Sequence, residues 1–257
     1  MRLWLFRAPA YRQPRLQEWA MDAGRPVVPH GHLSGELMSK RLVIVGNGQM
    51  AELFCSNFTQ SSDYEVAGFV VDREFIKGDG LLGLPLVPLD DIESRFPPGT
   101  FDAFVAIGPV RNNSVRAARF LELRRRGYRF ANYVSPRAEV SPDASLGENV
   151  SIGHFCSVGP WARIGDNVLI GSMSSIGHHC QVHSHAFLPV HVVMAGSVVI
   201  GERAFVGTGT TIRDNVHIGE GSVIGAGATI LGDVEPNTVY VAQGAKQLPM
   251  RADQARL

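Results

Sequence analysis

Long apolar runs are missing from this chain. None reaches the roughly eighteen residues that a spanning helix needs, and Leu3-Trp4-Leu5-Phe6 is cut off at once by Arg7, too soon for a signal-peptide core. The expectation is a cytoplasmic protein with no membrane partner. Net charge is missing too: 24 Lys and Arg balance 24 Asp and Glu. Without a basic stripe there is no electrostatic footprint for nucleic acid. The one arginine cluster, Arg124-Arg125-Arg126, reads as a solvated helix end. Cysteine is scarce, with Cys55, Cys156 and Cys180 odd in number, widely spaced and free of any C-x-x-C pattern. That argues against a disulfide framework or a zinc knuckle and leaves buried small residues in a reducing compartment.

What is present falls into segments. Residues 1–39 carry several Arg and Pro with no sustained period. Two readings stand for them: a disordered extension, or sequence ahead of a natural start at Met38. Residues 40–132 change character. Leu42-Val43-Ile44-Val45 is a short buried-strand run, followed by Gly46-Asn47-Gly48 and a helix from Gln49 to about Phe58. Tyr64 to Val71 reads as a second strand ending at Asp72, Phe101 to Ile107 as another, and Asn112 to Arg126 as an amphipathic helix closed by Gly127. Alternating strands and helices predict a small Rossmann-like, parallel α/β domain.

Residues 133–235 are strictly periodic, with an aliphatic residue at every sixth position from Val134 through Ile176 and Ile200 to Ile230, no member out of phase. Glycine repeatedly follows it, as at Gly147, Gly177 and Gly225, and small or thin residues such as Ala144, Cys156 and Ala204 stand two before it. A period of six is neither helical nor simple strand alternation. It marks a solenoid whose short flat strands form the sides of a triangular prism, three hexapeptides to a coil. Each aliphatic side chain then stacks on the one eighteen positions away, burial worth roughly 1.5–3 kcal/mol per Val or Ile. Residues 236–257 form a tail.

The repeat supplies scaffold, so chemistry must lie where it loses uniformity. Five of the nine histidines fall between His178 and His191. At turn positions of a prism they are expected to face outward, where neighbouring prisms form clefts. Acyl transfer from a thioester needs a base titrating near neutrality, and imidazole suits it; His178 is the candidate. It also needs backbone N–H donors for an oxyanion, and Gly196 stands eighteen residues, one coil, from His178. Two other readings remain. His178, His179, His183 and His185 resemble a metal-ligand set of the kind that gamma-class carbonic anhydrases place on such a prism. Alternatively the prism is a silent scaffold that binds a sugar nucleotide or a partner. The loop Gly46-Asn47-Gly48 followed by Ala51 matches a lone dinucleotide-type turn, with Asp72 where a ribose-binding acid would stand; against that are plain tight-turn and strand-end roles.

Over roughly Lys40 to Met250, the pairing of Gly46-Asn47-Gly48-Gln49-Met50-Ala51 with the hexapeptide repeat resembles the sugar acyltransferases of the sialic acid O-acetyltransferase type. These include N-acetyltransferases acting on nucleotide-linked 4-amino sugars. The resemblance implies a left-handed parallel β-helix behind the small α/β domain and a homotrimer. It further implies acetyl-CoA held between adjacent subunits and a nucleotide-sugar acceptor on the N-terminal domain, in cell-surface polysaccharide assembly. No metal is implied. The family's base motif is histidine, acid, cysteine; here Ile176-Gly177-His178-His179-Cys180 puts His179 in the acid's place. Ala195-Gly196 matches the glycine amide that meets the thioester carbonyl, and Ala226 a second backbone contact to the pantetheine arm. His191 matches a histidine near CoA, and Lys246 in Gln243-Gly244-Ala245-Lys246 a contact to CoA phosphates. Gly46, Gly48, Gln49 and Asp72 take the nucleotide, while Met50 departs from a position the family often fills with histidine. The resemblance leaves N- and O-acylation both open.

Overall fold

The computed structural model describes residues 25–26, 40–78 and 80–244. Lys246 and most of the 1–39 prefix therefore lie outside the described residues. Of that prefix only Arg25–Pro26 is described, as a short strand antiparallel to Ser145–Leu146.

The α/β domain is built on the buried run Lys40–Val45, which is too apolar on both faces for anything but a central strand. It pairs in parallel with Tyr64–Val71 on one side and Phe101–Val105 on the other. Leu84–Pro88 extends the first side, and Gly80–Leu81 folds back on it as an antiparallel edge. Helix Gln49–Ser61 packs Ala51, Phe54, Cys55 and Phe58 inward. Helix Ser114–Arg125 buries Ala117, Phe120 and Leu123. The sequence reading missed the hairpin at residues 80–88 and the one-turn helix Ile92–Arg95, both too short to show a period. It also overran the last sheet strand by two residues.

Every member of the aliphatic series ends a two-residue rung, from Tyr133–Val134 to Thr229–Ile230. Rungs stack in parallel at a register of eighteen, as in Ser151↔Leu169 and Ile176↔Met194, forming three ladders. From Ile152 to Ile230 the series is buried, and with the thin corner residues it makes one continuous core. The ladder runs on past residue 235: Val239–Tyr240 pairs with Val223–Ile224. At most corners one residue adopts a left-handed φ, between +56° and +67° at Asn149, Phe155, Trp161, Asn167, Met173, His179, His185 and His191. Asparagine tolerates this conformation well; bulky residues do so rarely.

One corner column, Asn149, Asn167, His185 and Arg203, faces the α/β domain instead of solvent. His185, expected to point outward, is only 6% exposed, and Asn149 and Asn167 are fully buried. Hydrogen-bond direction is fixed from the bottom of this column upward. The Val105 N–H donates to Asn149 Oδ1 (2.7 Å), Asn149 Nδ2 donates to Asn167 Oδ1 (2.8 Å), and Asn167 Nδ2 meets His185 Nδ1 at 2.8 Å. His185 must therefore accept at Nδ1 and carry its proton on Nε2. Arg116, fully buried on helix Ser114–Arg125, donates to the carbonyls of Asn167, His185 and Ala186. Burial pushes its guanidinium down to about 9, still charged at neutral pH. Asn113 donates to the Arg203 carbonyl at 3.0 Å. The arginine cluster read as a solvated helix end is partly engaged here as well. Arg124 reaches Glu148 and Asp166 on the prism, both at 2.9 Å, and Arg126 pairs with Glu122 at 2.6 Å; Arg125 is exposed and donates to the Leu121 carbonyl at 3.3 Å.

Burial, with Arg116 close by, lowers His185 to about 4, whereas in the unfolded chain it titrates near the ordinary value of about 6.5. Between these values the unfolded chain binds a proton that the fold refuses. Its contribution is thus fully present above about 6.5 and is lost as the pH falls toward 4, at a slope no steeper than about 1.4 kcal/mol per pH unit. His185→Asn keeps an acceptor for Asn167 and removes the titration. Urea unfolding at pH 7 and pH 5 should show a smaller acid loss in the variant; identical losses would refute the assignment.

Candidate active site

Following the chain through one coil shows how the prism distributes the histidines. Rung Ser175–Ile176 leads into the corner of His178 and His179, rung Gln181–Val182 into that of His183 and His185, and rung Phe187–Leu188 into that of His191. The four histidines considered as a metal set thus divide between two corners. Among the described residues no three His, Cys, Asp or Glu side chains converge. His183 and His185 leave the candidate site altogether.

The His178 corner is a vertical column: Pro160 and Trp161, then His178 and His179, then Gly196 and Ser197. Backbone bonds lock its register, His179 N–H to the Pro160 carbonyl (2.9 Å) and Ser197 N–H to the His178 carbonyl (2.9 Å). The His178 ring lies directly against Gly196. A Cβ built on that glycine would stand 2.4 Å from Cε1 and 2.6 Å from Nε2, so the imidazole fills the space a side chain would take. The Gly196 N–H has no partner among the described residues, although its carbonyl accepts from Asn215 (3.0 Å). Imidazole and free amide therefore stand side by side at an exposed edge, a base next to an oxyanion donor. His178 Nδ1 and His179 Nδ1 are 3.1 Å apart, and the Trp161 ring leans on His179 with centroids 4.7 Å apart. Sequence reading passed over Trp161, although its number, eighteen below His179, was the signal.

His191 and Ala226 occupy a different corner, above Phe155 and Met173, separated from His178 by the face that carries Ser175 and Val193. The Ala226 N–H is also without a partner among the described residues. Within one chain these two do not reach His178 and Gly196. The third face, between the His185 and His191 corners, is covered by helix Gln49–Ser61, where Leu169 and Phe187 join the core of the α/β domain. At its margin is a largely apolar cleft of about 220 Å³ lined by Met50, Leu53, His154, Phe187, Pro189 and Val190 among others. His154, whose Nδ1 is 2.6 Å from Ser135 Oγ, is a second site residue the sequence did not single out.

In the α/β domain, Gly46 and Gly48 differ in kind. Gly46 has φ +131°, and a Cβ there would meet the Ala106 carbonyl oxygen at 2.9 Å; Gly48 is extended and faces open space. Helix Gln49–Ser61 starts with no side-chain cap, and the N–H groups of Gln49 and Met50 have no backbone partner. Such an end suits an anion. The loop lies at the carboxyl edge of the central strand, where the chain winds first to Tyr64–Val71 on one side and later to Phe101–Val105 on the other, the crevice where open α/β sheets bind ligands. Asp72 is not free: both its oxygens accept from Arg119 Nη2, at 2.7 and 2.6 Å.

The bacterial transferase hexapeptide (six repeats) family matches residues 143–178 and 197–232. A perosamine N-acetyltransferase from Caulobacter crescentus, solved with CoA and GDP-perosamine, is 26% identical over 81% of this chain and 96% of its own, with a TM-score of 0.70. The chain is an acyltransferase that carries the hexapeptide transferase repeat and is similar to sugar N-acetyltransferases. The same fold recurs in the acetyltransferase domain of PglB from Neisseria gonorrhoeae FA1090 (24% identity, 81% and 100% coverage, TM-score 0.72). It recurs also in WeeI from Acinetobacter baumannii AYE (20%, 79% and 97%, TM-score 0.58). No curated protein matches by sequence.

Two glycine variants separate site from scaffold in this acyltransferase. In Gly196→Ala the atoms nearest the new methyl belong to the movable His178 ring, so unfolding stability should change by no more than about 1 kcal/mol while turnover falls at least about tenfold. In Gly177→Ala it meets the Ala195 carbonyl at 2.4 Å, and stability itself should fall. Equal activity in Gly196→Ala and the parent would show that the ring's seat is irrelevant to catalysis.

Proposed function

We propose that this acyltransferase moves an acyl group, acetyl in the first instance, from acyl-CoA to the amine of a nucleotide-linked sugar. The observation that carries the reading is the seat of His178 against Gly196, an imidazole packed beside an unpartnered amide. His178 takes the proton from the attacking nitrogen, the Gly196 N–H steadies the oxyanion, and the CoA thiol leaves. Neither a metal nor a covalent enzyme intermediate enters. The choice of CoA and of a nucleotide-sugar amine is supported by the Caulobacter relative crystallised with CoA and GDP-perosamine.

The nucleotide is assigned to the uncapped helix start at Gly46, Gly48 and Gln49. Asp72 enters only if its pair with Arg119 opens. CoA is assigned to Gly196 of one chain with His191 and Ala226 of another, because these corners stand apart in a single chain and an interface between chains would bring them together. That division supports a homotrimer, with residues 40–132 serving the acceptor and residues 133–235 the acyl donor. A cytoplasmic place in the assembly of cell-surface polysaccharide belongs to the same proposal.

A thiol-release assay with acetyl-CoA and a panel of nucleotide-linked amino sugars, with the matching hydroxy sugars as controls, tests the reading. His178→Ala should lower kcat by about 10²-fold or more with the oligomer intact. Near-normal turnover in that variant sinks the base assignment, and no thiol release with any sugar sinks the substrate class.

A further inference from the structure

The residue beside the base is itself an imidazole, and its ring is held by a tryptophan. His178 Nδ1 and His179 Nδ1 are within hydrogen-bond distance at 3.1 Å, and the two rings stand nearly perpendicular at 87°. One nitrogen of the contact must donate and the other accept. If His178 Nε2 is to accept a proton from the acceptor, the Nδ1 proton belongs to His178, and neutral His179 accepts at Nδ1 with its own proton on Nε2. The other face of the column is Trp161, 56% exposed, in the left-handed conformation with φ +58°. A large aromatic side chain seldom takes that conformation, and here it sets the indole one coil below His179, centroids 4.7 Å apart and 36° between planes.

We propose that His178 and His179 act as one base, with Trp161 as the positioning residue that holds His179 and stabilises the charge it acquires. The proposal rests on the acyl-transfer reading above. As the acceptor nitrogen bonds to the thioester carbon, its proton goes to His178 Nε2 and the Nδ1 proton of His178 passes to His179 Nδ1. His179 is then the imidazolium, against the indole face, where a cation is attracted. When the carbon–sulfur bond breaks, the sulfur takes the proton from His178 Nε2 and the Nδ1 proton returns from His179. A carboxylate in the place of His179 would orient the ring without accepting its proton, because its ordinary pKa, about 4, lies well below that of imidazole, about 6.5.

The electrostatic surroundings keep the pair isolated. The adjoining coils of this corner contribute Pro160, Trp161, Gly196 and Ser197, none of them titratable near neutrality. The flanking rungs bring Ser175 and Val193 on one face and Arg163, Gln181 and Val199 on the other. Asp143 and Asp214 stand two coils away on either side, and Asp214 is already bonded by Asn215 at 2.7 Å.

The test uses the full-length protein and two readouts. In ¹⁵N-histidine NMR without substrate, His178 and His179 should titrate together in one shared step, with the second proton delayed to lower pH; two independent steps overturn the pairing whatever the enzyme's substrate proves to be. In the thiol-release assay, His179→Asn puts an amide oxygen where Nδ1 was, so it still orients His178 but cannot take its proton. It should lose about tenfold in kcat, and Trp161→Ala should behave similarly with Trp161→Phe recovering most of the loss. The acid limb of kcat/KM should fall by about half a pH unit in His179→Asn and Trp161→Ala, as the charged pair loses its stabilisation. If these variants lower kcat with the limb unmoved, the two residues are only structural. If His178→Ala is dead while they match the parent, acyl transfer by His178 stands and the paired base falls.

Discussion

Everything in this molecule hangs on the peptide hydrogen bond repeated at a fixed register of eighteen. Each rung pairs in parallel with the rung one coil away, so whatever side chain a corner carries is stacked on the side chain eighteen positions distant. That constraint builds the aliphatic core, and it builds the three corner columns by the same operation. One column becomes a polar spine of Asn149, Asn167 and His185, another the stack of Trp161, His179 and the His178–Gly196 contact. The prism does not gather functional groups by folding distant segments together; it lines up what the sequence places at equal intervals.

The polar spine explains how a small α/β domain is held on so regular a surface. A solenoid corner exposes backbone carbonyls that no neighbouring strand can satisfy. Arg116, Asn112 and Asn113 supply the missing donors to the carbonyls of residues 167, 185, 203 and 221, and share those of Ala186 and Ala204 with the rung N–H groups of Leu169 and Phe187. Three consecutive left-handed residues, Arg111, Asn112 and Asn113, bring the chain into place for this. A buried guanidinium is costly unless it is bonded; here four acceptors, Asn113 Oδ1 among them, surround its two Nη atoms, while Nε has no partner among the described residues.

The solenoid was legible in the sequence because its signal is repeated seventeen times and every rung obeys it. The α/β strands were legible from their apolar runs, whereas Gly80–Leu81 carries no pattern at all in two residues. The histidines were harder. Read as a line from His178 to His191, they look like one cluster, but a corner every six residues sends neighbours in the chain to different edges. Arithmetic in steps of eighteen places Gly196 over His178, and the same arithmetic reaches Trp161. What no arithmetic reveals is that helix Ser114–Arg125 covers the His185 corner. An arginine on a helix, such as Arg116, reads as solvated until a second domain is laid over it.

The seat of His178 against Gly196 also has a metric meaning. Adjacent strands of a β-sheet stand about 4.8 Å apart, a length fixed by the hydrogen bond itself and not by any side chain. A base on one coil and an amide on the next are thus held one strand spacing apart, on a ruler that substitution cannot stretch. Substitution can alter which group stands at each mark, but the distance between the marks is the property of the backbone alone.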